Sequence, residues 1–241
     1  MKIYNYDNVN FTSRCPQIRD AQKVCHRIAA NFPHFSSTRL VPMSDKFENK
    51  YSALYDEFIN SNPAAGRFPN VVNDEERKIL SVFAAVRRLI SEINSCRLDR
   101  VAINDDFSKI YSIISQLKFE RIGNCAEDAQ ISELILRLNN KRNVYTGRLN
   151  VGDRQVDHSV CFFNKDGSEF SGKVGKNTIL IDSWLGEVDF ADNMLLKYKS
   201  IYKDYLFIPK DGKISFRNVK SLNLSETELE TLANDFPELI Q

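Results

Sequence analysis

The sequence predicts an α+β fold in which helices precede an antiparallel sheet. Apolar residues recur at three- and four-residue spacing up to about residue 120, as in helices with one buried face. Beyond that point come strand-like runs rich in Val, Ile and Phe, set apart by Gly, Asn and Asp. The resulting order is helices first, then helix–strand–strand–strand, which is that of an α+β chain. Residues 1–117 are expected to form a helical region and residues 118–241 a mixed one, as two units or one continuous domain.

In chain order, a helix is expected over Arg19–Ala30, in a first stretch that otherwise reads as coil. Asp45–Asn60 follows, with Phe47, Tyr51, Leu54, Tyr55 and Phe58 at helical spacing, closed by Asn62-Pro63-Ala64-Ala65-Gly66. The strongest pattern runs from Asp74 to about Asn94, with Asn73 as N-cap. Acidic Asp74, Glu75 and Glu76 sit at the positive end of its dipole, and Arg87 and Arg88 lie toward the negative end. Its expected buried stripe is Ile79, Leu80, Phe83, Val86, Ile90 and Ile93. A shorter helix, Asp106–Leu117, gathers Ile110, Ile113, Ile114 and Leu117 on one side. Cys125–Leu138 reads as helix, ended by Asn139-Asn140.

Val144–Val151, Val156–Phe163 and Thr178–Trp184 read as strands. Gly152-Asp153 separates the first two, and a loop from Asn164 to Asn177, with Asp166-Gly167, Gly172 and Gly175, separates the last two. A helix over Ala191–Tyr202 and a strand over Tyr205–Ile208 follow. Ser225-Glu226-Thr227-Glu228 is a capping box that opens a last helix to about Asn234.

Composition narrows the function. Thirty-three Lys+Arg against 32 Asp+Glu leave a formal charge of +1. A nucleic-acid or anionic-membrane binder carries a basic surplus, so no nucleic-acid partner is expected. Hydrophobic residues at 42% and charged residues at 27% are ordinary globular values. The longest apolar run falls far short of the roughly 18–20 residues of a membrane span, and mean hydropathy is −0.38; no membrane span is expected. The first residues, Met1-Lys2-Ile3-Tyr4-Asn5-Tyr6-Asp7, lack the apolar core of an export signal, which points to the cytoplasm. Five cysteines, at 15, 25, 96, 125 and 161, are an odd number in a long chain and read as free thiols.

One of the five stands apart. In Arg121-Ile122-Gly123-Asn124-Cys125-Ala126-Glu127-Asp128-Ala129 a glycine turn delivers Cys125 to a helix start. Unpaired N–H groups and the helix dipole there favour a thiolate and can donate to an oxyanion on an attacked carbonyl. Such a nucleophile needs a base, and the chain has three histidines. Cys25 and His26 are adjacent and splay apart on a helix, and His34 follows Pro33 in coil. Neither has zinc spacing, no Cys-x-x-Cys exists, and no phosphate-binding glycine loop appears, so no metal and no cofactor are expected.

His158 shares a strand face with Val156, Val160 and Phe162, whereas Cys161 faces the other way with Asp157, Ser159 and Phe163. A lone imidazole on an apolar face needs a hydrogen-bonding reason to be there. Asp182, on the following strand with Leu180 and Trp184, supplies one. A loop centred near residue 170 with no net bulge makes His158 and Asp182 cross-strand neighbours. Cys125, His158 and Asp182 are then nucleophile, base and orienting carboxylate.

The same segments carry a resemblance. Gly123-Asn124-Cys125-Ala126-Glu127-Asp128-Ala129 before a helix, Val144-Tyr145-Thr146-Gly147-Arg148, Asp157-His158-Ser159-Val160 and Ile181-Asp182-Ser183-Trp184 resemble the papain-like and transglutaminase-like cysteine-enzyme superfamily. The likeness covers about residues 118–186, and within the superfamily the chain looks similar to bacterial effector proteases and glutamine deamidases. It implies a papain-like core with a catalytic helix on an antiparallel sheet. It implies Cys125, His158 and Asp182 in their roles, and an oxyanion hole from the Cys125 N–H and a donor just upstream. Gly123, Asn124 and Trp184 are the matching oxyanion and substrate-binding positions. Papain has a glutamine six residues before its cysteine; this chain departs with Phe119 there, and its His-to-Asp interval of 24 is long.

The expected function is cysteine-dependent hydrolysis of an amide bond in a protein substrate, through a thioester, by an effector-type cysteine protease. Such an enzyme would act in the cytoplasm or be delivered to a host cell by a non-Sec route. A glutamine deamidase or transglutaminase would use the same triad. A non-catalytic interaction module keeping the core is the reading from another class, with the helical region as the docking surface.

Overall fold

The strand-like runs after Val144 pair into an antiparallel sheet. It is built of β1 (Val144–Val151), β2 (Arg154–Asn164), β3 (Thr178–Asp182), β4 (Glu187–Phe190) and β5 (Ile214–Lys220), side by side as β4-β3-β2-β1-β5. The computed structural model describes residues 15–34, 74–152, 154–201 and 212–240. Within these run the helices α1 (Pro16–Asn31), α2 (Asp74–Val101), α3 (Asp106–Ser115), α4 (Cys125–Leu138), α5 (Ala191–Ile201) and α6 (Glu226–Asp235). The chain is α+β. The helix expected at Asp45–Asn60, the strand at Tyr205–Ile208 and the N-cap Asn73 lie outside the described residues.

Side chains alternate across the sheet, so each face has its own core. Cys161, Phe163, Ile179 and Ile181 pack against Ile18, Val24 and Ile28 of α1, Ile114 of α3 and Ile131 and Leu134 of α4. On the other face Val160, Phe162 and Leu180 are covered by α5 through Met194 and Tyr198. Each such aliphatic or aromatic side chain contributes on the order of 1.5–3 kcal/mol by leaving water. Helices from before residue 118 and the sheet after it thus share one apolar cluster.

Several expectations change in detail. β3 ends at Asp182 rather than Trp184, because the chain turns there: the Leu185 N–H donates to the Asp182 carbonyl at 3.1 Å, and Gly186 takes φ 74°. β4 and β5 escape the periodic pattern, since they flank the sheet and bury only Val188 and Ile214. α2 runs on to Val101; among its described side chains Leu89 and Ile93 face inward and pack with Ile122, whereas those of Ile79, Leu80, Phe83 and Val86 lie outside the described ones. Ile90, expected in the core, is 43% exposed. The expected helix over Asp106–Leu117 changes to a single π-helical turn at Gln116–Glu120, followed by Arg121 at φ 56°. That left-handed residue stops the helix and swings the chain toward Gly123.

The capping box at α6 forms as read: the Glu228 N–H donates to Ser225 Oγ at 3.3 Å, and the Ser225 N–H donates to the Glu228 carboxylate at 2.7 Å. Ser225→Ala is expected to cost about 1 kcal/mol. The reading is a lower urea midpoint with an unchanged slope.

Candidate active site

The site starts with the turn that delivers Cys125. Asn124 is the extended N-cap of α4 and Cys125 its first residue, so the Cys125 N–H has no helical carbonyl partner. Gly123 is there for space: a Cβ would lie 2.4 Å from Leu117 Cδ2 and 3.1 Å from His34 Cδ2.

The turn is anchored by a buried carboxylate. Glu127 accepts the Asn124 N–H at 3.1 Å, Arg97 Nε and Nη2 at 2.9 and 2.8 Å, and Arg100 Nη2 at 2.8 Å. Burial pushes this carboxyl up, but Arg97 and Arg100 outweigh it and hold it below its usual range. Arg100 also donates to Gln116, whose Nε2 donates to the Ile122 carbonyl at 2.9 Å. Two arginines of α2 therefore fix both sides of the segment that carries Cys125. The Asn124 backbone amide is thereby committed to Glu127.

His158 lies buried beside Cys125. Its Nε2 is 2.6 Å from Asp182 Oδ2, and Cys125 is near enough to act on the ring electrostatically. Burial works against the charged ring, but the Asp182 carboxylate and then Cys125 overcome it, and the pKa rises from 6.5 to about 10. Asp182 is itself fully engaged: Tyr198 Oη donates to Oδ2 at 2.8 Å and the Leu185 N–H to Oδ1 at 3.1 Å.

The pairing that brings His158 and Asp182 together differs from the symmetric one. Cys161 faces Ile181, a midpoint of residue 171, so Asp182 continues the ladder opposite Val160 rather than His158. The shift is two residues and keeps parity, so both side chains stay on one face and meet diagonally. β2 runs on past the end of β3, and the turn after Asp182 is tied to α4. Ser183 Oγ lies 2.9 Å from Ser132 Oγ and donates to the Asp128 carbonyl at 3.3 Å. Trp184, on the same turn, sets its ring edge-on to His158 at 5.4 Å.

The other thiols are arranged differently. Burial pushes Cys25 and Cys161 well above the ordinary thiol range, and burial together with the Glu120 contact raises Cys96 to about 11. Phe119 is 71% exposed.

Glu127, Arg97, Arg100, Tyr198, Ser183 and His34 were not singled out by sequence. Only Arg97 and Arg100 left a trace, as two cations on the line that continues Leu89 and Ile93. Among the described residues no group of three or more His, Cys, Asp or Glu side chains is placed to hold a metal ion. Within the same residues no helix is long and apolar enough to cross a membrane. Comparison of the chain with protein-family models, curated proteins and solved structures gives no match.

Glu127→Ala strands Arg100 without its carboxylate in a buried site, and a loss of about 3–5 kcal/mol is expected from denaturant unfolding.

Proposed function

We propose that this chain is a cysteine-dependent hydrolase of protein amide bonds, a thiol protease on a papain-like core. One observation carries the reading: His158, on which Cys125 acts from a helix start, is held through Nε2 at 2.6 Å by Asp182. A ring that keeps its proton to about pH 10 is an imidazolium at neutral pH, and a positive ring beside a sulfur favours the thiolate nucleophile.

The thiolate attacks the amide carbonyl and the carbonyl π-bond electrons move to oxygen, where the Cys125 N–H and the α4 dipole stabilise the charge. His158 then gives its proton to the departing amine as the C–N bond breaks, leaving the thioester. Water attacks the thioester with the neutral ring taking a proton, and the carboxylic acid leaves as the thiolate–imidazolium pair is restored. Asp182 with Tyr198 keeps the ring oriented throughout, and Trp184 packs edge-on against it.

Cys125→Ala is expected to abolish turnover of protein substrates with the fold retained. Mass spectrometry of candidate substrates checks the reaction: new peptide termini mean proteolysis, a gain of about one dalton at glutamine means deamidation, and an added amine means transglutamination. Cleavage surviving Cys125→Ala sinks the mechanism.

The pH dependence follows from His158. Its ring binds a proton more tightly folded than unfolded, so its stabilisation is complete below about pH 6.5 and is lost as pH rises through about 10. The general acid disappears over the same range, so kcat/KM falls on a basic limb near pH 10. Asp182→Asn removes the main raising cause and moves that limb down by at least about one pH unit. A limb that stays in place counts against His158 as the acid.

A further inference from the structure

A cleft of about 320 Å³ lies between α1 and the end of α4, away from the end that carries Cys125. Its volume is at the lower end of the roughly 300–1,000 Å³ of pockets that hold small ligands. Val24, Ile135 and Leu136 give it an apolar lining, and Lys23, Arg27 and Lys141 set three cations against one carboxylate, that of Asp20. Lys23 and Asp20 pair with each other at 3.2 Å, one helical turn apart on α1. The charges of Arg27 and Lys141 remain.

Both of these residues are half-buried, and their partners are neutral. Arg27 Nη1 donates to the Leu239 carbonyl at 2.6 Å, and Lys141 Nζ lies 4.5 Å from the centroid of the Phe163 ring. Among the described residues neither makes an ion pair. Burial lowers the Arg27 pKa, with no carboxylate acting against it. Nor is Lys141 needed to close α4. Backbone N–H groups of Asn139, Asn140 and Lys141 already take the carbonyls of Ile135, Leu136 and Arg137 at 2.9 to 3.1 Å. A carboxylate between the two cations would form charge-assisted hydrogen bonds with both.

An acidic residue within a peptide matches both halves of the cleft at once, whereas a free dicarboxylate meets the cations and leaves the apolar lining in water. We propose that the cleft docks an acidic segment of a partner protein, with a Glu or Asp carboxylate between Arg27 and Lys141 and a neighbouring aliphatic side chain on Val24, Ile135 and Leu136. The arginine supplies a planar fork of donors and the lysine a point charge. The 14 residues of α4 set this cleft about 20 Å from Cys125, so docking here does not rest on the chemistry proposed for that thiol.

The test is an NMR titration of the ¹⁵N-labelled full chain, at low ionic strength, with the peptide N-acetyl-Leu-Glu-Leu-amide. Saturable binding with Kd at or below about 1 mM is expected, the shifted amides gathering around Val24, Arg27, Leu136 and Lys141. No saturation, or shifts centred elsewhere, overturns the proposal. The same peptide with Gln for Glu should bind at least about fivefold more weakly; equal affinity shows that the carboxylate is not what is recognised. Glutarate and inorganic phosphate should also bind at least about fivefold more weakly than the peptide. If either matches it, the cleft is a site for free anions and the peptide reading is overturned.

Substitutions locate the charges. Lys141→Glu should weaken the peptide at least about tenfold, and retained affinity there counts against the cleft. Arg27→Gln should act in the same direction, but Arg27 also holds the Leu239 carbonyl, so Lys141→Glu is the deciding variant. Lys23→Ala should change the affinity less than about twofold, because Lys23 already faces Asp20. A loss in Lys23→Ala as large as in Lys141→Glu means diffuse attraction to a basic surface and overturns a built site. Cys125→Ala should bind the peptide as the native chain does. Binding lost in that variant places the peptide at Cys125 instead, and overturns the proposal without bearing on whether Cys125 is a nucleophile.

Discussion

Everything in the site hangs on one buried negative charge, that of Glu127. A carboxylate withdrawn from water this completely survives only if donors replace the lost solvation. Three N–H groups of Arg97 and Arg100 and one backbone amide do so. The amide is that of Asn124, the N-cap of the helix that opens with Cys125. The charge therefore joins three pieces of chain that are distant in sequence: the end of α2, the glycine turn and the first turn of α4. Because breaking any of those bonds exposes a buried ion, the turn has little freedom to sample other conformations. Cys125 is held in place by the solvation needs of its neighbour.

Asp182 is compensated just as fully but to a different end. Its partners are a phenol, an amide and an imidazole rather than guanidinium groups. Arginine stays charged at any working pH, so the Glu127 cluster is static. Histidine can release a proton, so the Asp182 cluster holds a charge that can move. Two carboxylates about as deeply buried are set to different tasks by the donors around them.

Much of this was legible in the sequence. The residue pattern gave α4 and β1 to the residue, because buried stripes and strong turn signals bound them at both ends. Strand parity separated His158 from Cys161, and the structure puts them in different surroundings. The register was off by two, an error parity hides: a longer half-loop moves the partner along the strand without changing its face. β4 and β5 were missed because strands at the flanks of a sheet bury too little to show a period. Glu127 was missed for another reason. A helix-start acid is an ordinary feature, and nothing local announces that two arginines about thirty residues upstream will bury it. His34 was set aside as a coil residue after a proline, since a contact with residue 128 has no signature in one dimension.

The π-helical turn at Gln116–Glu120 acts as a phase shifter. A turn closed by i→i+5 bonds holds one residue more than an α turn, and one residue is about 100° of rotation. Gln116 and Leu117, neighbours in sequence, are both buried. One meets the arginine of α2 and the carbonyl of Ile122, while the other reaches the space beside Gly123. A helix in even phase carries one inward line; here the line splits, with its polar branch directed to the clamp and its apolar branch to the floor of the turn. A one-residue insertion in that helix is thus what lets a single strand of chain serve the charge network and the hydrophobic core at the same point.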